Sequence, residues 1–408
     1  MANTFRRRLP VRDGVSMRSA ADVDFGLDDL PGDELHGVLA EFRSRGPIVP
    51  TRPYGMPAQI IAGHEGLAEA FRDDARFPGH RTYEAGFEGV IGRTFISMEG
   101  QDHLQFRKLA MPALRSQAIE NYERQGLATL AHELVDRFKH RGVGDLVGEF
   151  TARFPYLVIT RVLGLPRERE EEFHDWALAM LGFQKDPERV RRASRALTSL
   201  LAPVVRARRE EPRDDVISEL IHAEVNGRRL ADEEVHAHVR LLFPTGGETT
   251  HGTMGNLLFA LLADGRRWDR IVADAESREA AVSDVLRWES SIGVLPRMSS
   301  TERCEFRGEP LLPDTIVLFG IAGANRDPEI FSNPDEFSLE RRLEPTLTFG
   351  PGTKSCPGMH LARKNLLVAL DVLAERLPKL RLPAESLEAA LPRRTVLRSP
   401  NCLPVRWS

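Results

Sequence analysis

Apolar residues recur at three- and four-residue spacing over most of this chain, and in short strand-like runs mainly toward its two ends. Leu35, Val38, Leu39 and Phe42 set the first stripe and predict a helix over residues 33–45. Ile48-Val49 and residues 59–61 flank the turn sequence Pro53-Tyr54-Gly55-Met56-Pro57 and predict two strands, with a short helix over 65–71 behind them. Residues 76–95 carry glycines and aromatics (Phe77, Tyr83, Phe87, Phe95) without a period, which predicts a long loop. From Gly100 to about Phe243 the pattern is helical. It breaks at Pro112, 142–144, Gly164-Leu165-Pro166, Pro187 and Glu211-Pro212, and Asn226-Gly227 marks a turn. One long helix is predicted over 232–263, with Val235, Val239, Leu242, Thr249, Thr253, Leu257 and Leu261 near one face. Helix continues to about Trp288. Strands are predicted over 292–298, 304–306 and 315–319, then a last long helix to Leu377 and weak strands near 380–382, 396–397 and 403–405. The fold class expected is mainly α with smaller β-sheets (α+β), arranged as a flexible N-terminal arm over 1–20 and a single domain over 21–408.

Composition narrows the function classes. Hydrophobic residues make up 41% and charged residues 28%, the balance of a globular protein. A net charge of -4 supplies no overall basic footprint for nucleic acid. No run approaches the roughly 18 apolar residues that a membrane helix needs. Arg6-Arg7-Arg8 has no apolar core behind it and reads as a solvated arm rather than a targeting segment. Cys304, Cys356 and Cys402 form no C-x-x-C, which argues against a disulfide framework or structural zinc and points to a reducing, cytoplasmic setting. His132-Glu133 is followed by Asp136 rather than by the second histidine of a zinc-protease helix. A monomer with no nucleic-acid or membrane partner is expected.

Two stretches break local rules. Inside the long helical pattern lies Pro244-Thr245-Gly246-Gly247-Glu248-Thr249-Thr250. A proline costs about 3 kcal/mol in a helix interior and each glycine about 1, and Pro244 removes the donor that the Arg240 carbonyl would meet. A functional distortion is therefore expected there. Glu248 and Thr249 place an acid and an alcohol side by side, a pair able to pass protons through water to a bound species. The second stretch is Phe349-Gly350-Pro351-Gly352-Thr353-Lys354-Ser355-Cys356-Pro357-Gly358. It sets one cysteine in a stiff turn that opens the last long helix, where the helix dipole and free N–H groups favour thiolate. That suits a single soft sulfur ligand to a metal whose other ligands come from elsewhere, as in haem iron. Gly350 to Ser355 lacks the Gly-Lys-Ser/Thr ending of a phosphate loop.

The spacing Phe349-x-x-Gly352-x-x-x-Cys356-x-Gly358 resembles the haem-binding loop of the cytochrome P-450 family, the haem-thiolate monooxygenases. Other stretches resemble the family in its own order: His103-x-x-x-Arg107, Thr245–Thr250 for A/G-G-x-D/E-T-T, Asp284-x-x-Arg287 for E-x-x-R, Pro296-Arg297 and 324–328. The resemblance covers residue 30 to the C-terminus. It implies haem b between the long helix and the cysteine-loop helix, with Cys356 as the axial iron ligand and Phe349, Gly350 and Gly358 shaping the loop. It gives Glu248 as the acid of a proton relay and Thr249 as the hydroxyl at the oxygen pocket. Thr245, in place of the usual alanine or glycine, and Gly246 would lie over the ring. His103, Arg107, Arg297 and Lys354 would hold the propionates, Lys354 standing where histidine or arginine is usual. Asp284, Arg287 and Arg341 would form a buried structural network, with aspartate one methylene shorter than the family glutamate. A small, largely apolar organic substrate would meet Tyr83, Phe87, Phe95, Leu181, Leu242, Thr245, Ile292, Val294, Leu295 and Val396, with Trp176, Leu178 and Phe183 nearby. No G-x-G-x-x-G is present, so electrons from NAD(P)H would arrive through a separate ferredoxin or flavodoxin and its reductase. The alternatives are a peroxide-driven peroxygenase, a haem-thiolate dehydratase and a non-catalytic haem-thiolate sensor. A haem-free helical scaffold would leave the Cys356 loop without a purpose.

Overall fold

The protein is described by a computed structural model over residues 18–124, 126–166, 169–181, 186–341 and 345–407. Phe183 and most of the expected N-terminal arm lie outside the described residues. Backbone contacts group the chain into two units. One contains Gly255–Thr353 and Leu382–Leu403 with the described residues up to Pro78, and the other contains Gly79–Met254, Lys354–Arg381 and the residues from Pro404.

The first unit is built on a mixed sheet of order β1-β2-β7-β4, made of Val49–Thr51, Ala58–Ile61, Ile316–Phe319 and Leu295–Met298. β2 is buried at every position, and this explains its central place beside the parallel β7. Alternation along the strands divides the core. Ile60 and Leu318 face Leu35, Val38, Leu39 and Phe42 of the Glu34–Arg45 helix, while Ile61, Val317 and Phe319 join Leu67, Phe77, Phe306 and Leu347. Each such buried aliphatic or aromatic side chain stabilises the unit by roughly 1.5–3 kcal/mol. A hairpin of β5 (Cys304–Phe306) and β6 (Glu309–Leu311) lies in the same unit, and the sequence pattern does not predict β6. Its two-residue turn takes φ of 52° at Arg307 and 85° at Gly308. Both values suit a tight hairpin, but an arginine in the first position hides the signal. No strand forms at 396–397, where Leu397 has φ of 53°.

The second unit is mostly helical. It includes the helices Gly100–Ala110, Leu127–Phe138, Phe154–Leu163, Glu170–Leu181, Pro187–Glu210 and Met359–Arg376, the part of the Asp232–Leu262 helix up to Met254, and a pair of strands, β3 (Val143–Asp145) and β8 (Pro404–Arg406). Every residue of Phe154–Leu163 except Arg161 is buried, so this helix is apolar all round, as an interior helix must be. It ends at Gly164, whose φ of 76° gives a left-handed cap. The loop expected over 76–95 is instead largely two short helices, Gly79–Gly86 and Glu88–Ile91. Only Gly79 of the first is buried, so it carries no apolar stripe for periodicity to detect.

Candidate active site

The Asp232–Leu262 helix runs unbroken through Pro244. Three threonines at four-residue spacing turn their hydroxyls onto the backbone one turn back. Thr245 Oγ1 donates to the Leu241 carbonyl at 2.6 Å, Thr249 Oγ1 to the Thr245 carbonyl at 2.7 Å, and Thr253 Oγ1 to the Thr249 carbonyl at 3.0 Å. Such back-bonding bends helices without breaking them, and it follows directly on the proline. The distortion expected here is thus a chain of hydroxyl contacts rather than an interruption. Thr245, Gly246 and Thr249 keep partial exposure in a helix whose neighbouring positions 241–244, 247, 248 and 250 are buried, so one accessible stripe is left open.

The glycine pair has a packing cause. A Cβ on Gly247 would stand 2.4 Å from Tyr156 Cε1, and one on Gly246 3.3 Å from Ile159 Cδ1. The absent side chains let Phe154–Leu163 close onto the long helix. Gly246 therefore faces Ile159 as well as the accessible stripe. The same approach brings Tyr156 OH to Glu248 Oε2, which accepts its hydrogen at 2.9 Å inside the protein. Burial first, then the Glu248 charge, pushes the Tyr156 phenol far above its ordinary value, so it stays protonated. His174 packs on the Tyr156 ring at 4.7 Å, and burial pulls its imidazole below the usual value against the opposing pull of Glu248 and Asp175. Tyr156 is the functional candidate that sequence reasoning missed. An aromatic in an apolar helix reads as core.

Cys356 stands just before Gly358, the residue that caps Met359–Arg376. The helix start alone predicts a thiol drawn toward thiolate. In the structure the cysteine has exposed surface, yet enough protein surrounds the sulfur that burial pushes the thiol up, against the Gly358 N–H and the Arg107 guanidinium. Desolvation outweighs the dipole. Arg107 lies on Gly100–Ala110, one turn after the buried His103. Its Nη2 donates to the Ser355 carbonyl at 2.7 Å and to Ser355 Oγ at 3.0 Å. Its Nη1 is buried and meets no hydrogen-bond partner among the described residues. Lys354 Nζ donates to the carbonyls of Phe95 at 3.1 Å, Ile96 at 3.2 Å and Met98. Its ammonium anchors 95–98 to the cysteine loop, and a lysine suits three carbonyls better than a planar fork would. Phe95 is 1% exposed and packs against the tilted ring of His238 and the Arg107 guanidinium, which makes it core rather than pocket wall.

In the first unit the structure brings Asp284, Arg287 and Arg341 together. Asp284 Oδ1 accepts from Arg287 Nε at 2.7 Å and pairs with Arg341 Nε at 3.0 Å, while Oδ2 accepts from Ser338 N at 2.6 Å. The aspartate reaches its partners despite the missing methylene. Arg297 on β4 is buried against the Phe319 ring. Gly350, with φ of 64°, lies against Phe71, where a Cβ would come within 3.0 Å of the ring; Phe349 beside it is half-buried. Val294 is 1% exposed and packs with Leu35 and Phe42, so it belongs to the core, not to a pocket lining. Ile292 and Leu295 are half-buried and Val396 is 40% exposed. In the second unit, the rings of Tyr83 and Phe87 meet at a tilt with centroids 5.9 Å apart, Leu181 and Trp176 are half-buried, and Leu242 is buried.

These groups fit a haem. The second unit presents a cysteine with accessible surface and a buried guanidinium N–H with no partner among the described residues, the donor set that an iron and a carboxylate would complete. No group of His, Cys, Asp and Glu able to hold a bare metal ion occurs among the described residues. A family described as "Cytochrome P450" matches residues 276–388. Cytochrome P450 107B1 of Saccharopolyspora erythraea is 30% identical over 395 residues, covering 93% of this chain and 96% of that one. Nocardicin C N-oxygenase of Nocardia uniformis subsp. tsuyamanensis is 31% identical over 384 residues, covering 92% and 96%. Among solved structures, cytochrome P450 PksS of the Bacillus subtilis 168 bacillaene polyketide synthase superposes with a TM-score of 0.82 at 27% identity, covering 92% and 98%.

Proposed function

We propose, for a chain that belongs to the cytochrome P450 family and so is a haem-dependent oxidoreductase, that it inserts one oxygen atom of O2 into a small, largely apolar organic molecule. Bound haem supplies the iron chemistry that cleaves O2 and transfers one of its oxygen atoms. The chain's own residues do the rest. Cys356 donates its thiolate sulfur. His103 and Arg107 hold the propionates, Arg107 through the Nη1 that has no partner among the described residues. The propionate roles of Arg297 and Lys354 rest on the resemblance alone, and Lys354 also ties the loop to the carbonyls of Phe95, Ile96 and Met98. Glu248 takes up protons and passes them toward the hydroxyl of Thr249, which lies on the accessible stripe with Thr245. Phe87, Tyr83, Leu181 and Leu242 supply apolar surface for the substrate. Electrons come from NAD(P)H through a separate ferredoxin or flavodoxin. A monomer in the cytoplasm is proposed. Among the described residues no helix is long and apolar enough to cross a membrane.

The observation that carries this reading is the cysteine with accessible surface beside the half-engaged guanidinium. Thr249→Ala tests the oxygen-handling half. With a plant-type ferredoxin and its reductase, and with whichever of testosterone, dodecanoate and 7-ethoxycoumarin shifts the Soret band, product per NAD(P)H falls and peroxide rises. Unchanged coupling would remove Thr249 from the relay. Equal product from hydrogen peroxide alone would favour a peroxygenase.

A further inference from the structure

We infer that Tyr156 is the positioning residue that holds Glu248 in its proton-relay position through both of its protonation states. The inference rests on the reading of Glu248 as the relay acid. A relay acid alternates between carboxylate and carboxylic acid, and its partner must satisfy both. The carboxylate accepts a hydrogen, whereas the acid has one to donate. An arginine or lysine partner can only donate, so it would pin the group in its ionised form. A phenol can donate and accept, and Tyr156 OH stands 2.9 Å from Glu248 Oε2 in a buried setting. Tyr156 itself does not surrender its proton, because burial and the neighbouring carboxylate hold the phenol neutral. It directs Glu248 without competing with it.

Three contacts fix the ring. Phe243 packs on it at 5.8 Å and His174 at 4.7 Å, while Gly247 approaches it so closely that a Cβ there would meet the ring. Gly247 is decisive. Any Cβ there would stand 2.4–2.7 Å from three ring atoms and would push the phenol off Glu248. The glycine next to the acid thus provides for the tyrosine, which lies 92 positions from Glu248 in the sequence. His174, half-buried on Glu170–Leu181, supplies its contact from a separate helix.

Tyr156→Phe keeps the ring and removes the hydroxyl. Gly247→Ala keeps the hydroxyl and displaces the ring, so the two variants reach the contact independently. Glu248→Gln is the reference. The first readout is the infrared carboxyl band of Glu248, assigned by its loss in Glu248→Gln and followed with no substrate present. In both Tyr156→Phe and Gly247→Ala the band moves to the position of a carboxyl without the phenol bond. The second readout is product per NAD(P)H with the Soret-shifting probe. It falls tenfold or more in both variants, the lower end of the loss expected for one hydrogen bond to a charged group being about tenfold, and the solvent deuterium isotope effect rises. The reduced carbon monoxide spectrum and the probe's spin-state affinity stay as in the parent, so a general packing defect would be recognised. An unmoved band in Tyr156→Phe overturns the inference, as does a moved band with unchanged coupling. If Glu248→Gln uncouples while Tyr156→Phe does not, this inference fails and the relay reading stands. If Glu248→Gln stays coupled, the relay reading falls and takes this inference with it.

Discussion

Asp284→Asn changes one atom and no volume, yet its cost follows from the geometry. Asp284 and Arg287 are 3% and 2% exposed. The carboxylate accepts from Arg287 through Nε at 2.7 Å and Nη2 at 3.3 Å, and from Ser338 N at 2.6 Å, with Arg341 Nε at 3.0 Å. An asparagine keeps one acceptor oxygen and turns the other into a donor that faces donors. Burial already pulls the Arg287 guanidinium below its usual value, and Asp284 is the group that opposes this. Breaking such a buried pair costs about 3–5 kcal/mol. Arg287 still donates to the carbonyls of Asn325, Pro334 and Glu336, which sets the loss near the lower figure. Unfolding entropy of about 2.1 cal/mol/K per residue converts roughly 3 kcal/mol into a fall of about 3–4 °C for a 408-residue chain, and more if the first unit melts alone. Asp284→Glu restores the family's usual residue and overfills a site whose contacts already close, at a cost of about 1–3 kcal/mol. Thermal melts followed by circular dichroism, with the yield of haem-loaded protein beside them, check both. An Asp284→Asn melt that overlays the parent would refute the buried network, and a more stable Asp284→Glu would refute the claim that aspartate fits.

Three other outcomes follow from single contacts. Pro244→Ala returns an N–H to the Arg240 carbonyl within a continuous helix and adds up to about 3 kcal/mol of stability, read as a raised melting midpoint; a lowered midpoint would show that the proline supports the bend. Gly164→Ala puts a Cβ 2.2 Å from Asp215 Oδ2 at a φ of 76°, so it destabilises by about 2 kcal/mol or more in a urea titration, and an unchanged midpoint would contradict the close approach. Asp136 is held down at about 2, first by its hydrogen bonds to Lys139 and Arg376. A depressed carboxyl contributes stability above its unfolded value of about 4, which is lost as pH falls from there toward about 2. Asp136→Asn should flatten that stretch of the acid-denaturation curve, and an identical curve would refute the pairing.

Much of the architecture was legible because its signals are local. The long helix showed through Pro244 because the apolar stripe resumes in phase at Thr253 and Leu257. The cysteine loop was legible as a loop that opens a helix. What escaped depends on partners distant in sequence. Tyr156 reads as one more apolar residue in Phe154–Leu163 until the fold sets it against Glu248. Lys354 reads from the sequence as a propionate partner, and its contacts to three carbonyls of 95–98 show only in the fold. Phe95 and Val294 have the composition of a pocket wall, and burial assigns them to cores. The thiol of Cys356 reads as activated from the helix start, but desolvation acts the other way and depends on the whole surroundings. The hairpin at Arg307-Gly308 was hidden by an arginine in a conformation usually left to glycine or asparagine.

The central claim is that Cys356 gives its sulfur to haem iron. The difference spectrum of the reduced protein with and without carbon monoxide tests it most directly. The expected result is the red-shifted Soret band of a thiolate-ligated haem, and its loss in Cys356→Ser. A band at the unshifted, histidine-like position in the parent, or a thiolate band that survives Cys356→Ser, would contradict it.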